Sequence, residues 1–141
     1  MFIIIISLLA AGARAADCDT LAKYWVSAPY EAERIGKDGE TTTLANLSAT
    51  LTITSQSGCA FEAINEWTNG ALGGKETVAG IIDSETEITM LELGVPPAGG
   101  STARIDATLE NGLMRSYGRV HDYGGHWQRR LYVLGPRRQY R

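Results

Sequence analysis

Apolar and polar residues alternate with a period of two through most of this chain. Leu47, Ala49, Leu51 and Ile53 interleave with Ser48, Thr50, Thr52 and Thr54, the pattern of a strand with one buried and one wetted face. Cys59, Phe61, Ala63, Asn65 and Trp67 alternate in the same way with Glu62 and Glu66. Residues 76–82 and 87–93 predict two further strands, turned by Asp83-Ser84-Glu85. Ala103, Ile105, Ala107 and Leu109 then alternate with Arg104, Asp106 and Thr108, and residues 113–120 and 126–134 complete the run. Upstream the alternation is weaker. Residues 25–35 and 40–44 predict two strands around Asp38-Gly39, and residues 18–24 a short helical turn.

The punctuation between these segments is turn chemistry. Gln56-Ser57-Gly58 and the tract 122–125 read as tight turns, and Asn111-Gly112 is a strong two-residue hairpin signal. The stretch 94–100 (GVPPAGG) can be neither helix nor central strand. Gly135-Pro136 is expected to end the last strand. Eight or nine strands recur with short connections, and no segment holds a 3.6-residue period over helix length. Sequential strands with short links lie antiparallel beside one another. A meander of this length leaves two exposed edges unless it closes, so the pattern predicts an all-β fold. An antiparallel up-and-down barrel of 8–9 strands leads, with a β-sandwich as the alternative.

The ends of the chain carry a different message. Residues 2–10 (FIIIISLLA) are apolar apart from Ser7, and Ala13-Arg14-Ala15 follows as a small-residue processing site. This predicts a signal peptide over 1–15, although no Lys or Arg precedes the apolar run. The apolar run is shorter than the roughly 18–20 residues that cross a bilayer. The chain divides into that signal, one domain over 16–134 and a basic tail over 135–141 with Arg137, Arg138 and Arg141. Export places the protein in the periplasm or outside the cell. There the two cysteines, Cys18 and Cys59, are expected to pair as a disulfide. Closing that loop stabilises a fold by about 4 kcal/mol in the chain-entropy model. A formal net charge of −3 excludes a general attraction for nucleic acid.

Three segments together carry a family likeness. They are the stretch from Leu51 (LTITSQSGCAFEAINEW), the stretch from Glu76 (ETVAGIIDSETEITMLEL) and the RLYVL around Tyr132. Over residues 47–134 the chain resembles calycin-type small secreted barrels, the lipocalin- and avidin-like group, and in particular a set of bacterial exported barrels. The resemblance implies a ligand-binding barrel and names no ligand. It also implies an early tryptophan packed on a late arginine at the closed end, for which Trp25 with Arg129, Arg130 or Arg137 are the candidates. Lys23 stands where lipocalins carry a glycine two residues before that tryptophan.

Candidate chemistry is sparse. Trp25, Trp67, Tyr117 and Trp127 are candidates to line a pocket, although aromatics in small β-domains also serve as core. Arg115 and Tyr117 share one strand face, and Trp127, Arg129 and Leu131 share another. If either face points inward, its arginine meets an anionic or carboxylate ligand; otherwise the arginines form ion pairs or stack on aromatics. The ligand-binding candidates are therefore Trp67, Arg115, Tyr117, Trp127 and Arg129. His121, Asp122 and His126 flank a turn and could supply a two-His, one-carboxylate metal site, while Asp and Gly also occupy turns for backbone reasons. Glu62 and Glu66 share a face, either as an acid/base pair or as the solvent side of a strand. Asn46-Leu47-Ser48 is a glycosylation acceptor sequon.

No nucleophile elbow, phosphate loop, zinc ribbon or calcium loop is present in the sequence, and no cofactor is implied. The leading expectation is an exported barrel that binds a small apolar molecule, any carboxylate on it being met by Arg115 or Arg129. One alternative is an interaction or inhibitor protein acting through its surface or the 94–100 loop. Another is a barrel enzyme of cyclase or isomerase type using Tyr117, His121 and Glu66.

Overall fold

The period-two segments become nine strands in a computed structural model of the chain. The structure describes residues 18–94, 102–121 and 127–136, with the backbone alone for 120–121 and 127–132. The strands are β1 (Tyr24–Ser27), β2 (Tyr30–Ile35), β3 (Thr41–Ser57), β4 (Ala60–Thr68), β5 (Gly73–Ile82), β6 (Glu87–Gly94), β7 (Thr102–Glu110), β8 (Leu113–His121) and β9 (Trp127–Pro136). From β3 to β9 each strand pairs antiparallel with the next. Strand β2 pairs with both β3 and β9, which closes a ring of eight. The sheet is a barrel, and the sandwich alternative is excluded.

β1 explains the ninth strand. It pairs with β3 at Thr50–Thr52 and with β9 at Leu134–Pro136, further along both strands than β2 reaches. It continues the line of β2, so the two share one place in the ring. The single strand expected over 25–35 is broken at Ala28-Pro29 because Pro29 has no N–H for the ladder. The helical turn expected over 18–24 is absent; β1 already begins at Tyr24. The last strand runs through Gly135-Pro136, with Pro136 opposite Trp25.

A second correction concerns β3. Residues 40–44 and 47–54, read as separate strands, form one strand of 17 residues. Tyr30 lies opposite Leu47 but Ala32 opposite Leu44, so β3 carries one extra residue there. Asn46 sits in the left-handed region (φ 56°), which Asn tolerates better than most residues. The extra residue exchanges the two faces of the strand. Leu44 and Leu47, of opposite parity, both reach the core as a result.

The core fills the ring. Trp25, Ile53, Phe61, Met90, Ile105 and Met114 are all buried, each contributing about 1.5–3 kcal/mol of hydrophobic free energy. The register from Ile53 passes through Ala63, Val78, Glu92, Ala103 and on to Arg34, then returns to β3 at Thr42 instead of Ile53. That offset is the stagger of strongly tilted strands. Asn111 (φ 51°) and Gly112 (φ 75°) turn β7 into β8 in the conformation their dipeptide announced.

One end of the barrel is sealed by residues 18–23. Cys18 and Cys59 are disulfide-bonded, with Cα atoms 4.9 Å apart. The Gln56 amide donates to the carbonyls of Asp19 and Gly58 and accepts from Leu21 N–H. Ile53 N–H donates to the Lys23 carbonyl, and the Trp25 indole donates to that of Ala22. The arginine partners expected for Trp25 have side chains outside the described residues. The expected signal segment 1–15, most of the 94–100 loop and the tail cations Arg137, Arg138 and Arg141 also lie outside the described residues. At the opposite end lie the turns 36–40 and 69–72 and the ends of β6 to β9.

Candidate functional site

The interior changes character along the strands. From the disulfide end, β4 sends Phe61, Ala63, Asn65 and then Trp67 inward, while β5 sends Ile82, Gly80, Val78, Glu76 and Gly74. On β6 the inward residues are Ile88, Met90 and Glu92. The first part of each series is apolar and the last part polar. Asn65, Glu76 and Glu92 are only 1%, 6% and 2% exposed. Such burial of polar groups is tolerated only with hydrogen-bonding partners.

Asn65 joins the two carboxylates. Its amide nitrogen donates to Glu76 Oε2 at 3.4 Å and to Glu92 Oε2 at 3.2 Å. The Trp67 indole donates to Glu76 Oε1 at 2.6 Å. Its ring lies over Gly74, the residue opposite it on β5, where an added Cβ would fall 2.6 Å from the indole nitrogen. A glycine is required there so that the indole can lie flat on the barrel wall. The carbonyl oxygen of Asn65 has no hydrogen-bond partner. It is an acceptor held inside the barrel, beside two carboxylates and an aromatic face.

This arrangement can accept hydrogen bonds from a guest and stack against it. It suits a ligand that carries N–H or O–H donors on a planar or apolar body. Among the described residues, no group of three or more His, Cys, Asp or Glu is placed to hold a metal ion.

Of the ligand-binding residues expected from the sequence, Trp67 is inside and takes part in this cluster. Arg115 and Tyr117 are not. Both point outward, with Tyr117 37% exposed and Arg115 ion-paired to Glu110 at 3.4 Å. The inward face of β8 is Met114, Ser116 and Gly118. Either face of that strand could have been buried, because each mixes apolar with polar residues. The Tyr117 hydroxyl accepts from Arg119 Nε at 3.4 Å, and that hydrogen bond raises the pKa of Arg119. Trp127 and Arg129 stand opposite His121 and Arg119 in the register. Their side chains, and the candidate metal ligands His121, Asp122 and His126, lie outside the described ones.

Glu62 and Glu66 are exposed on the outer face, with Glu66 paired to Lys75 at 3.6 Å. Strands β4 and β8 are on opposite sides of the ring, so Glu66 and Tyr117 do not converge, and the enzyme constellation that needs them is not formed. Glu76 and Glu92 were missed in the sequence. The signal for Glu76 was its parity with Val78 and Ile82; β6 gave no such signal, since Leu91 and Leu93 compete with Ile88 and Met90.

A scan against protein-family models and searches of curated proteins and of solved structures find no match to this chain. The closed eight-strand ring is consistent with a calycin-like barrel, and the geometry of the site carries the functional reading.

Proposed function

We propose that this protein is an exported, calycin-type binding barrel that holds a small molecule at the end opposite the disulfide. The observation that carries the reading is the Asn65 carbonyl, buried and without a partner beside Glu76, Glu92 and Trp67. An orphan acceptor in a folded interior costs about 1–3 kcal/mol, and a donor on a bound ligand would remove that cost. The disulfide fits an oxidising compartment and supports export, with residues 1–15 as the signal.

The apolar part of the expected ligand is kept, and Arg115 is withdrawn as the partner of any carboxylate on it. Arg115, offered as its counter-charge, is on the outside; the Arg129 side chain lies outside the described ones, and Arg34, on the inward parity of Tyr30 and Ala32, keeps its Nε buried. The ligand is an apolar or planar molecule bearing N–H or O–H donors.

Native mass spectrometry of protein purified from its own host, followed by thermal-shift screening with planar amines, amides and alcohols, tests the proposal. A retained small molecule, or a stabilisation lost in Asn65→Leu, is expected. No retained mass together with no shift across the panel would overturn it.

A further inference from the structure

The outer face of β4–β7 has an order of its own. Glu62, Ala79, Leu91 and Arg104 stand side by side across four neighbouring strands. The row reads acid, small, large apolar, base. One step toward the 69–72 end, Thr77 and Leu93 are neighbours; one step toward the disulfide end, Ile81 and Thr89 are. Each row across β5 and β6 therefore pairs one large apolar residue with one smaller one. Leu91, Leu93 and Ile81 are 57%, 54% and 55% exposed, an apolar cluster of the kind that marks interaction surfaces. Beside it lies a depression of about 630 Å³ lined by Ala60, Glu62, Ala79, Ile81, Thr89 and Leu91, among others.

We propose that two copies of this chain associate through this face about a two-fold axis that runs parallel to the strands over the β5–β6 line. Such an axis sets β4 of one copy against β7 of the other and β5 against β6, as an isologous contact requires. Leu91 then enters the depression over Ala79 of the second copy, Leu93 meets Thr77, and Ile81 meets Thr89. Glu62 faces Arg104 on both sides of the axis. The same operation matches large with small and acid with base. Arg104 already bonds Asp106 through Nε at 3.2 Å, and its guanidinium carries further donors for Glu62. An anionic membrane is a poorer occupant, because Glu62 and Asp83 border the depression.

The surface is convex, so the contact falls at the small end of interface sizes, and a dissociation constant of roughly 1–100 µM is expected. Sedimentation equilibrium of the processed protein across that range should show a reversible monomer–dimer equilibrium. Leu91→Asp and, separately, Leu93→Glu should leave only monomer with an unchanged β-type circular dichroism spectrum. Glu62→Arg and Arg104→Glu should each weaken the dimer by about tenfold or more, and the double exchange should restore it. A wild-type chain that stays monomeric, a dimer indifferent to both leucine variants, or a double exchange that restores nothing would overturn the proposal. A monomer that sediments with anionic vesicles would overturn it as well.

Discussion

The two ends of the barrel interior are built from different materials. Around the disulfide, Cys18, Leu21, Trp25, Ile53 and Phe61 form an apolar mass sealed by the hydrogen bonds of Gln56. Toward the 69–72 turn, the same strands β4 and β5, together with β6, present Asn65, Trp67, Glu76 and Glu92. The first end gains free energy from burial and a covalent bond. The second spends some of it on holding polar groups out of water. Proteins commonly accept that cost where function demands it, and the proposal of a binding site at the polar end rests on that contrast.

Breaking the sealed end should have the largest effect. Replacing both cysteines, Cys18→Ala with Cys59→Ala, is expected to cost about 4 kcal/mol in urea denaturation without changing which ligands bind. Next comes Gly80→Ala, whose new Cβ would fall 2.1 Å from the Phe61 ring. Overpacking of that kind costs about 1–3 kcal/mol, read as a lowered denaturation midpoint. At the polar end, Asn65→Leu withdraws the amide donor from both carboxylates. It should cost about 1–3 kcal/mol while abolishing ligand-induced stabilisation. Smallest of all is Arg115→Ala on the outer face, which should move stability by no more than about 0.5 kcal/mol and leave binding intact in the same thermal-shift panel.

Much of the barrel was legible before any coordinates. Strands with one clean apolar face, such as Leu47–Ile53 by alternation and Ala103–Leu109, are buried on the predicted side, and Asn111-Gly112 turns as expected. The disulfide followed from two cysteines and the expectation of export. Failure came where local pattern is degenerate. The parity exchange at Asn46 is a backbone event that leaves apolar residues on both faces of β3. The sequence of β8 (LMRSYGRVH) offers two mixed faces, and ring closure chooses Met114, Ser116 and Gly118 over Leu113, Arg115 and Tyr117. The polar cluster was invisible for a related reason. Glu76 shares the parity of Val78 and Ile82, but both faces of β6 carry apolar residues, so only the register places Glu92 beside Asn65.

One measurement separates the two ends most directly. With a ligand recovered from the screen, the ligand-induced rise in melting temperature is compared in the wild type, in the cysteine-free variant and in Asn65→Leu. The account predicts the same rise in the first two, from a lower starting point in the second, and none in Asn65→Leu. An equal rise in Asn65→Leu, or a rise that vanishes with the disulfide, would contradict it.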